Sequence, residues 1–384
     1  MDFELRPEQR EIQMLAREFA DAEIAPHAAE WDREGRFPHE LVPKLAALGL
    51  MGVCVPEELD GAGADFLSYV LVLEELSRAD AGIGVTVAVH TSAATLPLVA
   101  FGTDEQRERL VPPLARGEKI GAFALTESES GSDARSLKTR ADADGAGWRL
   151  TGTKQWITNG SFAGTALVFA RGEAGISCFV VDGDADGLRV TKEHRKLGLH
   201  SSSTVDVVLD GVRAGPERLL GEEGKGFHIA MATLDGGRIG IAAQAVGIAR
   251  AAFDLARSYA LERRQFGKAI AEFGAIQEKL ADMATELDAA RLLVYRAAWL
   301  RDRGEPHGEA GAKAKLFASS VARRHTGEAI QILGGYGYTR EFPAERLFRD
   351  AKITEIYEGT SEIQRLVVAR SVLDTAARSV PTPA

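Results

Sequence analysis

The spacing of hydrophobic residues divides the chain into three segments with different periods. In residues 1–120, apolar positions recur every three or four residues, which is the period of one face of a helix. Tyr69, Val72, Leu73 and Leu76 form the clearest such face. We therefore predict a helical N-terminal domain over residues 1–120.

Between residues 121 and 225 the period changes to two. Four short runs rich in β-branched and aromatic residues are separated by Gly, Asp or Asn turns, and they lie at 148–158, 165–171, 176–182 and 204–210. No helix-length segment lies between these runs to form a parallel crossover. The segment is therefore predicted to be an antiparallel sheet or a small β-barrel-like domain.

From residue 226 to residue 384 the helical period returns. One apolar stripe steps by three and four residues and comprises Leu280, Met283, Leu287, Ala290, Val294 and Ala297. A regular stripe of this kind favours antiparallel packing in a helical bundle. The order of helical, β and helical-bundle segments places the chain in the α+β class.

An uncharged run at residues 81–103 raises the question of a membrane-spanning helix. The run contains several hydroxyl side chains together with His90 and Pro97, and polar groups of this kind are costly inside a bilayer. Buried helices joined near Pro97 are the better interpretation, and we expect no membrane association.

Composition and charge exclude several classes of function. The 384 residues carry a net charge of −10, and nucleic acid is not expected as a partner because phosphate binding needs a basic face. Cys54 and Cys178 lack any CxxC or Cys/His pairing, so neither a disulfide framework nor a metal site is predicted. The charged N-terminal stretch is unlike a secretion signal, and a cytoplasmic location is expected.

Familiar nucleotide-binding motifs are missing from the chain. Residues 221–226 (GEEGKG) have the wrong spacing for a phosphate loop, and no Ser or Thr follows the Lys. Residues 334–337 (GGYG) do not follow a strand and do not match GxGxxG. A P-loop or Rossmann site is therefore excluded, and any cofactor needs a differently built site.

The segment 124–136 (ALTESESGSDARS) mixes hydroxyls, acids and glycine at the entry to the β segment. One interpretation is a polar surface turn. The other is a ligand loop, in which Gly131 lets the backbone approach a flat ligand while Thr126 and Ser132 supply hydrogen bonds. Sequence alone leaves both interpretations open.

Two further segments also allow a structural and a ligand-binding interpretation. Trp156 and Thr158 lie two residues apart on a predicted strand and can share one side of it, where the indole either joins the core or faces a planar heterocycle. Three glycines in residues 331–340 (QILGGYGYTR) either cap a helix and form a turn or present exposed amides to a polar ligand.

The stretch 353–365 (ITEIYEGTSEIQR) places Glu355 and Glu358 in an otherwise apolar run. Apolar neighbours disfavour the charged form of Glu358 and raise its pKa towards neutral pH, which suits a general base. A helix predicted to begin at Ser361, with Ser361 and Gln364 as a capping box, opposes this shift. Glu355 is interpreted as a surface acid.

Several of these stretches together resemble the acyl-CoA dehydrogenase family. Residues 124–133 are similar to the family's first signature, 331–350 to its second, and 350–365 to the terminal segment that carries the base. Blocks at 234–240 and 261–267 also look like family blocks. The resemblance covers most of the chain and is nearest to the short-chain, butyryl-CoA-like branch. One departure is Ser-Glu-Ser at positions 128–130, where members commonly carry Pro-Gly-Ala.

The resemblance implies a C-terminal four-helix bundle and FAD as the cofactor. The implied FAD contacts within one subunit, or in closure over the cofactor, are Phe123, Leu125, Thr126, Ser132, Trp156, Thr158, Thr360 and Glu362. The implied contacts to the FAD of a neighbouring subunit are Arg263, Phe266, Gln331, Gly334 and Gly335. A cofactor site shared between subunits leads us to expect a homotetramer.

For the substrate, the resemblance implies Glu358 as the catalytic base. The implied acyl-CoA contacts are Ser132, Asp235, Arg238 and Gly359. Relatives that act on certain branched chains carry the base at the position of Gly237. Since that position has no carboxylate here, a straight-chain substrate is expected.

The implied reaction is FAD-dependent α,β-dehydrogenation of short- to medium-chain acyl-CoA thioesters to trans-2-enoyl-CoA, with electrons passed to an electron-transferring flavoprotein. FAD takes the β hydride, because no amino-acid side chain accepts hydride. The Glu358 amide and a flavin ribityl hydroxyl would bind the thioester oxygen. Two alternatives are an acyl-CoA oxidase-like enzyme that uses oxygen and a flavin-fold protein that binds DNA, against which the acidic charge counts.

Overall fold

The computed structural model describes residues 4–379. Within that range the N-terminal part forms helices α1 to α7, at Pro7–Phe19, Ala28–Glu34, Leu41–Ala47, Phe66–Ala79, Ala81–Ala88, Leu96–Phe101 and Asp104–Ala115. A π-helical turn, Ala20–Ile24, follows α1, and a second, Val89–Thr95, joins α5 to α6. The helical N-terminal part is as predicted.

Helix α4 carries the apolar face that the sequence predicted. The helix begins where the Asp65 carboxylate accepts a hydrogen bond from the Ser68 amide at 2.8 Å, which satisfies one of the free amides of its first turn. All four residues of the predicted face are 0% exposed. The face packs mainly against α8 of the C-terminal part, defined below.

Two helical segments are long and apolar enough to cross a membrane by length and composition, Ala81–Phe101 and Gly226–Glu262. Both lie inside the fold, since 83% and 72% of their most apolar windows are buried. Pro97 lies in the first turn of α6, directly after the π-helical turn Val89–Thr95. Burial inside the protein favours the interpretation of residues 81–103 as core helices.

The middle part forms one sheet of strands β1 to β8, at Gly121–Ala124, Arg140–Asp144, Gly147–Thr158, Thr165–Gly172, Gly175–Asp182, Leu188–Val190, Thr204–Ala214 and Leu219–Leu220. Hydrogen bonds connect the strands in the order β6-β7-β3-β2-β4-β5-β8, with β1 beside β4. Most pairs are antiparallel, as predicted. β1 and β2 nevertheless pair with β4 in parallel, because long connections return the chain in the same direction.

The C-terminal part is built on four long helices and one short one. They are α8 Gly226–Glu262, α9 Gly274–Asp302, α10 Gly308–Leu333, α11 Ala344–Ala351 and α12 Ser361–Ser379. A small hairpin of β9 (Arg264–Gln265) and β10 (Lys268–Ala269) lies between α8 and α9. α8 packs against α4, α9 and α10, and five of the six residues in the predicted α9 stripe are buried.

The two helical parts share one hydrophobic core. Buried residues of α4, such as Leu73, and of α8, such as Ile241, belong to the same cluster. The sheet has a core of its own around Phe179 and Val207, and a third cluster joins the sheet to α7 and α8. The α+β fold with helical, β and helical parts in that order is confirmed, and it fixes the start of α8 between the sheet and the bundle.

Candidate active site

Glu358 lies in a sharp turn between the 3-10 turn Lys352–Glu355 and helix α12. Its φ angle is +52°, and that of Gly359 is +91°. A non-glycine residue in the left-handed region costs about 1–3 kcal/mol and persists only where its surroundings hold it. The contacts around this turn therefore have to hold the strained backbone in place.

Two side chains from different helices hold the turn. Lys315 Nζ, from α10, donates hydrogen bonds to the carbonyls of Thr354 at 2.9 Å and Gly359 at 2.8 Å. Gln364 Nε2, from α12, donates to the carbonyls of Glu358 at 3.1 Å and Gly359 at 2.9 Å. Both donors are buried, so the turn is fastened from inside the protein.

The predicted capping box of α12 is wrong. The Ile363 amide lies 3.4 Å from Thr360 Oγ1, so Thr360 supplies the cap rather than Ser361. Gln364 cannot close a box because its amide group holds the two carbonyls of the turn. The capping-box motif does not form here, because the Gln364 side chain bonds the turn around Glu358 instead.

The carboxylate of Glu358 points at Gly237 on α8. Its Oε2 atom is buried and has no hydrogen-bond partner, and a Cβ atom built on Gly237 would overlap it. Burial raises the pKa of Glu358 to about 7, although the positive charges of Lys315 and Arg238 act in the opposite direction. An unpaired carboxylate that titrates near neutral pH is what general-base catalysis requires.

Replacing Gly237 with Ala is expected to lower turnover by about 10-fold to 100-fold, because a methyl group would displace the Glu358 carboxylate and small misplacements of a catalytic group are costly. FAD content is expected to stay unchanged. Gly274→Ala is the matched control, since a Cβ there has nothing within 4 Å. Steady-state rates per bound FAD check the prediction, and equal rates in the two variants would contradict it.

Arg238 and Asp235 form an ion pair on α8, on either side of Gly237 in the sequence. Arg238 Nη1 lies 2.6 Å from Asp235 Oδ1, and Arg238 is 7% exposed while Asp235 is half-buried. Gly237 lies between them on α8, and the charge of Arg238 acts on Glu358, so α8 brings one of the two predicted substrate contacts next to the acid and holds the other through the ion pair. Gly359, the next residue after the acid, is also at this site.

Tyr357 connects the turn to two other helices. Its hydroxyl donates a short hydrogen bond to Gln244 Oε1, and Gln244 Nε2 donates to the carbonyl of Ala81 at 2.8 Å. Burial raises the pKa of Tyr357 well above its usual value, so the hydroxyl remains a donor at working pH. The chain of contacts ties the turn to α8 and to α5.

Glu355 has a structural role that differs from that of its neighbour. Its carboxylate accepts from Arg323 at 3.0 Å and from Lys352 at 2.6 Å. Both cationic partners hold the carboxylate in place, in contrast to the unpaired Oε2 atom of Glu358. The sequence analysis interpreted Glu355 as a surface acid, but its side chain is only 16% exposed and lies between its two cationic partners.

The loop after β1 is pinned by a buried ion pair that the sequence analysis missed. Lys154 Nζ, from β3, donates to the Leu125 carbonyl at 3.0 Å and to Glu127 Oε1 at 2.7 Å. Glu127 also accepts from the amides of Lys138 and Thr139 at 2.6 and 3.0 Å. Burial lowers the pKa of Lys154 to about 8. The pair fixes both ends of the loop.

The Ser-Glu-Ser departure at positions 128–130 forms a closed turn inside this loop. The backbones of Glu127 and Ser130 exchange two hydrogen bonds of 3.1 Å, and Ser130 Oγ donates to the Asp133 carbonyl at 2.8 Å. Glu129 projects outwards and pairs with Lys138. The Ser-Glu-Ser turn therefore leaves Ser132, a predicted ligand contact, exposed.

Trp156 is not a core residue. The pairing of β3 with β7 shifts between Lys154 and Ile157, Trp156 has a φ angle of +61°, and its side chain is 54% exposed. Its ring lies 4.2 Å from that of His194. The β-bulge turns the indole out of the sheet, which a single sequence pattern could not reveal.

The other residues predicted around this part of the site lie at the ends of β1 and β3. Thr126 is half-buried, and its carbonyl accepts from the Gln155 amide at 2.8 Å, which joins the loop to β3. Phe123 and Thr158 are also half-buried, while Leu125 is 5% exposed. The structure thus brings these residues together with Trp156 along one junction.

The glycine-rich segment after α10 lines a separate cavity of about 450 Å³. Arg263, Gly334 and Gly335 line it together with Tyr259 and Tyr336. Gly334 follows the last residue of α10 with a φ angle of +62°. The segment therefore caps α10 and also forms part of a cavity wall. The interpretation as a helix cap and the interpretation as a ligand-binding segment are thus compatible.

Two predicted residues do not line this cavity. Gln331 is exposed on α10, and Phe266 lies at the tip of the β9–β10 hairpin with 94% of its surface exposed. At the other end of the site, Thr360 caps α12 and Glu362 is an exposed acid in its first turn. Among residues 4–379, no cluster of His, Cys, Asp and Glu suits a metal ion.

Lys315, Gln364 and Lys154 are the functional candidates that sequence reasoning missed. Lys315 carried some signal, since it is one of two lysines, with Lys313, in the run of positions 310–318, where five residues are Ala or Gly. A lysine on a face made of small residues is a candidate for a buried, hydrogen-bonded ammonium. The partners of that ammonium could not be read from the sequence.

Comparison with known proteins shows similarity to one family along most of the chain. The domain descriptions "Acyl-CoA dehydrogenase, N-terminal domain", "middle domain" and "C-terminal domain" match residues 6–118, 122–212 and 224–373. The mitochondrial short-chain specific acyl-CoA dehydrogenase of Bos taurus is 51% identical over 367 residues, covering 94% of this chain and 89% of that protein.

Two solved structures are similar over nearly the whole chain. Butyryl-CoA dehydrogenase from Megasphaera elsdenii has a TM-score of 0.96 at 44% identity, covering 97% of this chain and 100% of that one. A chain in the structure described as the electron transferring flavoprotein of Acidaminococcus fermentans has a TM-score of 0.96 at 46% identity, with the same coverage. This chain therefore belongs to the acyl-CoA dehydrogenase family and is an FAD-dependent oxidoreductase.

Proposed function

We propose that this enzyme desaturates short-chain acyl-CoA thioesters between the α and β carbons, with Glu358 as the base that removes the α proton. The observation that carries the proposal is the buried, unpaired Oε2 atom of Glu358, held opposite Gly237 by a strained turn. The names of the bovine and Megasphaera relatives support a short-chain substrate. The product would be a trans-2-enoyl-CoA.

Glu358 is suited to proton abstraction at neutral pH. A pKa near 7 gives a substantial ionised fraction and a conjugate base stronger than an ordinary glutamate. Arg238 and Lys315 limit the rise of this pKa, and without them burial would keep the acid protonated. The acyl chain completes the exclusion of water, which strengthens these interactions when substrate is bound.

The thioester oxygen gains charge as the α proton leaves, and the Glu358 amide is the donor that we propose for it. Among residues 4–379 no hydrogen bond occupies this amide. Because φ of Glu358 is positive, its amide and side chain leave the turn in an arrangement that an ordinary helical residue would not give. A preorganised amide of this kind stabilises a developing oxyanion.

The residues present fit FAD. Trp156 is turned outwards as a half-exposed aromatic face, Gly131 has nothing within 4 Å of a built Cβ atom, and the Thr126 and Thr158 hydroxyls flank the same junction. Gly334 and Gly335 are equally open beside Arg263. When bound, FAD supplies the acceptor for the β hydride.

A homotetramer follows as part of the proposal. The two sets of proposed FAD contacts lie on different parts of the chain, one at the ends of β1 and β3 and the other at the ends of α8 and α10. A cofactor held on one side by each of two subunits accounts for both sets. Phe266, exposed at the tip of the hairpin, would then be covered by the neighbouring subunit. The limits 1–120, 121–225 and 226–384 remain our proposed domains.

For the substrate, we propose that the Asp235–Arg238 pair and Gly359 line the path of the acyl-CoA, with Ser132 at the exposed end. Gly237 keeps space beside the base that any side chain would fill. The carboxylate on the 353–365 segment, rather than on α8, supports a straight-chain acyl group.

We further propose that an electron-transferring flavoprotein in the cytoplasm accepts the electrons. A similar chain lies in the structure described as the electron transferring flavoprotein of Acidaminococcus fermentans, and this association supports the flavoprotein over oxygen as the acceptor. Release of peroxide in air, measured against reduction of an electron-transferring flavoprotein, separates the two acceptors. Stoichiometric peroxide with no flavoprotein reduction would point to an oxidase.

Anaerobic bleaching of the purified yellow protein tests the substrate class. With straight-chain thioesters from four to sixteen carbons, we expect rapid loss of the flavin absorbance with the four-carbon substrate and slow bleaching with the longest. A branched four-carbon acyl group is the matched control. Absence of bleaching by every thioester would contradict the proposed activity, and a maximum at sixteen carbons would contradict the short-chain assignment.

A further inference from the structure

A buried lysine lies behind the catalytic turn. Lys315 is 1% exposed and sits on α10 among Ala312, Ala314 and Ala318, which are 0% exposed. Burying an ammonium is costly unless its protons are hydrogen-bonded. An apolar residue would fill this position on a small-residue helix face at lower cost, so the lysine calls for a functional explanation.

The hydrogen bonds of Lys315 are directed at both ends of one segment. The Thr354 carbonyl precedes the turn and the Gly359 carbonyl follows Glu358, and Nζ bonds both at 2.9 and 2.8 Å. Gly359 O also accepts from Gln364. One ammonium therefore closes residues 354–359 into a loop, and the Glu358 side chain of this loop points towards Gly237.

We propose that Lys315 is a positioning residue for the dehydrogenation, which holds Glu358 in its left-handed turn and places a positive charge behind its carboxylate. The inference rests on the proposed role of Glu358 as the base. Lys315 does not touch the substrate in this scheme. It acts through the geometry and the ionisation of the acid.

The charges around Glu358 come from several elements. Lys315 faces it from α10, Arg238 from α8, Tyr69 from α4 and Tyr357 from its own segment, while Glu355 interacts with Lys315. The two cations lower the pKa of Glu358 and the two tyrosines remain neutral. Loss of Lys315 removes one of the two cations, so the pKa of Glu358 must rise.

Three variants of this position and one control test the inference. Lys315→Met removes the charge and the donors, Lys315→Gln keeps a neutral donor, and Lys315→Arg keeps the charge. Lys313→Met is the control, because Lys313 is a partly exposed lysine of the same helix paired with Glu309. FAD content and thermal unfolding are measured for each, so that a folding defect is separated from a catalytic one.

The decisive measurement is the pH dependence of flavin reduction per bound FAD. For Lys315→Met we expect the lower inflection to move up by about one pH unit, with a rate at pH 7 reduced by about fivefold and recovering towards pH 9. Lys315→Gln should show the same shift, and Lys315→Arg and Lys313→Met should not. A structural role alone would lower the rate equally at all pH values.

Two outcomes would overturn the inference. One is an unchanged inflection in both Lys315→Met and Lys315→Gln; the other is a loss of activity that is matched by loss of FAD. Glu358→Gln distinguishes this failure from failure of the proposed base. If Glu358→Gln is inactive while Lys315→Met behaves as wild type, the role of Lys315 is contradicted and the role of Glu358 as the base is not. If Lys315→Met does not fold, the comparison of Lys315→Gln with Lys315→Arg decides.

Discussion

Replacing Glu358 with Gln is expected to lower the rate of flavin reduction by about 10²-fold to 10⁴-fold, the usual contribution of a positioned general base. Gln keeps the size and polarity of the side chain but cannot accept the α proton. The two hydrogen bonds from Gln364 and the one from Lys315 to Gly359 involve backbone carbonyls, so the turn should survive. FAD should remain bound at wild-type stoichiometry.

Stopped-flow absorbance under anaerobic conditions measures this effect. Glu355→Gln is the matched control, since it is a second acid of the same segment whose carboxylate is paired with Arg323 and Lys352. The control is expected to retain a rate within a few-fold of wild type. A Glu358→Gln enzyme with more than about a tenth of the wild-type rate would be incompatible with a general-base role.

The same variant carries a prediction about stability. The folded protein raises the pKa of Glu358 from 4.5 to about 7, so the protonated acid is favoured by folding. The contribution of protonated Glu358 to the free energy of unfolding is complete below pH 4.5. It is lost as pH rises through 7, because the buried carboxylate then ionises. Gln removes this loss, so above pH 7 the variant should be more stable by up to about 3 kcal/mol.

Unfolding temperatures at pH 5 and pH 8 check this prediction without any substrate. We expect Glu358→Gln to unfold at nearly the wild-type temperature at pH 5 and at a higher temperature at pH 8. A lower unfolding temperature at pH 8 would mean that the carboxylate stabilises the fold. The strained turn would then need another explanation.

The second large effect is expected at Lys154. Replacing Lys154 with Met leaves the Glu127 carboxylate buried without its cationic partner, and breaking a buried pair on one side costs about 3–5 kcal/mol. Lys154 is 0% exposed and holds both Glu127 and the Leu125 carbonyl. The loop at 124–136 should loosen, so FAD affinity should fall together with the unfolding temperature.

Lys138→Met is the matched control, because Lys138 lies in the same loop but pairs at the surface with Glu129. Exposed pairs contribute about 0–1 kcal/mol, so this variant should behave nearly as wild type. A double variant, Lys154→Met with Glu127→Gln, should recover part of the loss, since no buried charge remains. Equal losses in the single and double variants would show that the unpaired charge of Glu127 is not the cause of the loss.

Local pattern predicted the elements of the fold with good accuracy. The apolar face of α4 and the stripe of α9 follow from the helical period, and strands β3, β4, β5 and β7 follow from the period of two. The parallel pairing of β1 and β2 with β4 was not predictable in the same way. It depends on which strands meet after long connections, and no period in the sequence records that.

The residues of the candidate site also differ in whether local sequence could predict their role. Glu358 could be singled out because an acid in an apolar run has few structural reasons to be there. Trp156 could not be separated from a core tryptophan, since a β-bulge decides which way it points. The capping box of α12 was predicted incorrectly because Gln364 is used by another segment, the turn that holds the base.

By itself the sequence determined the helical, β and helical order of the chain, the acid at 358 and the absence of a competing carboxylate at Gly237, because these depend on residue type and local period. Only the tertiary structure decided that Lys315 and Gln364 hold the acid's turn, that Gly237 faces its oxygen, and that Lys154 pins the loop at 124–136. These are contacts between residues far apart along the chain, and their partners are chosen by packing.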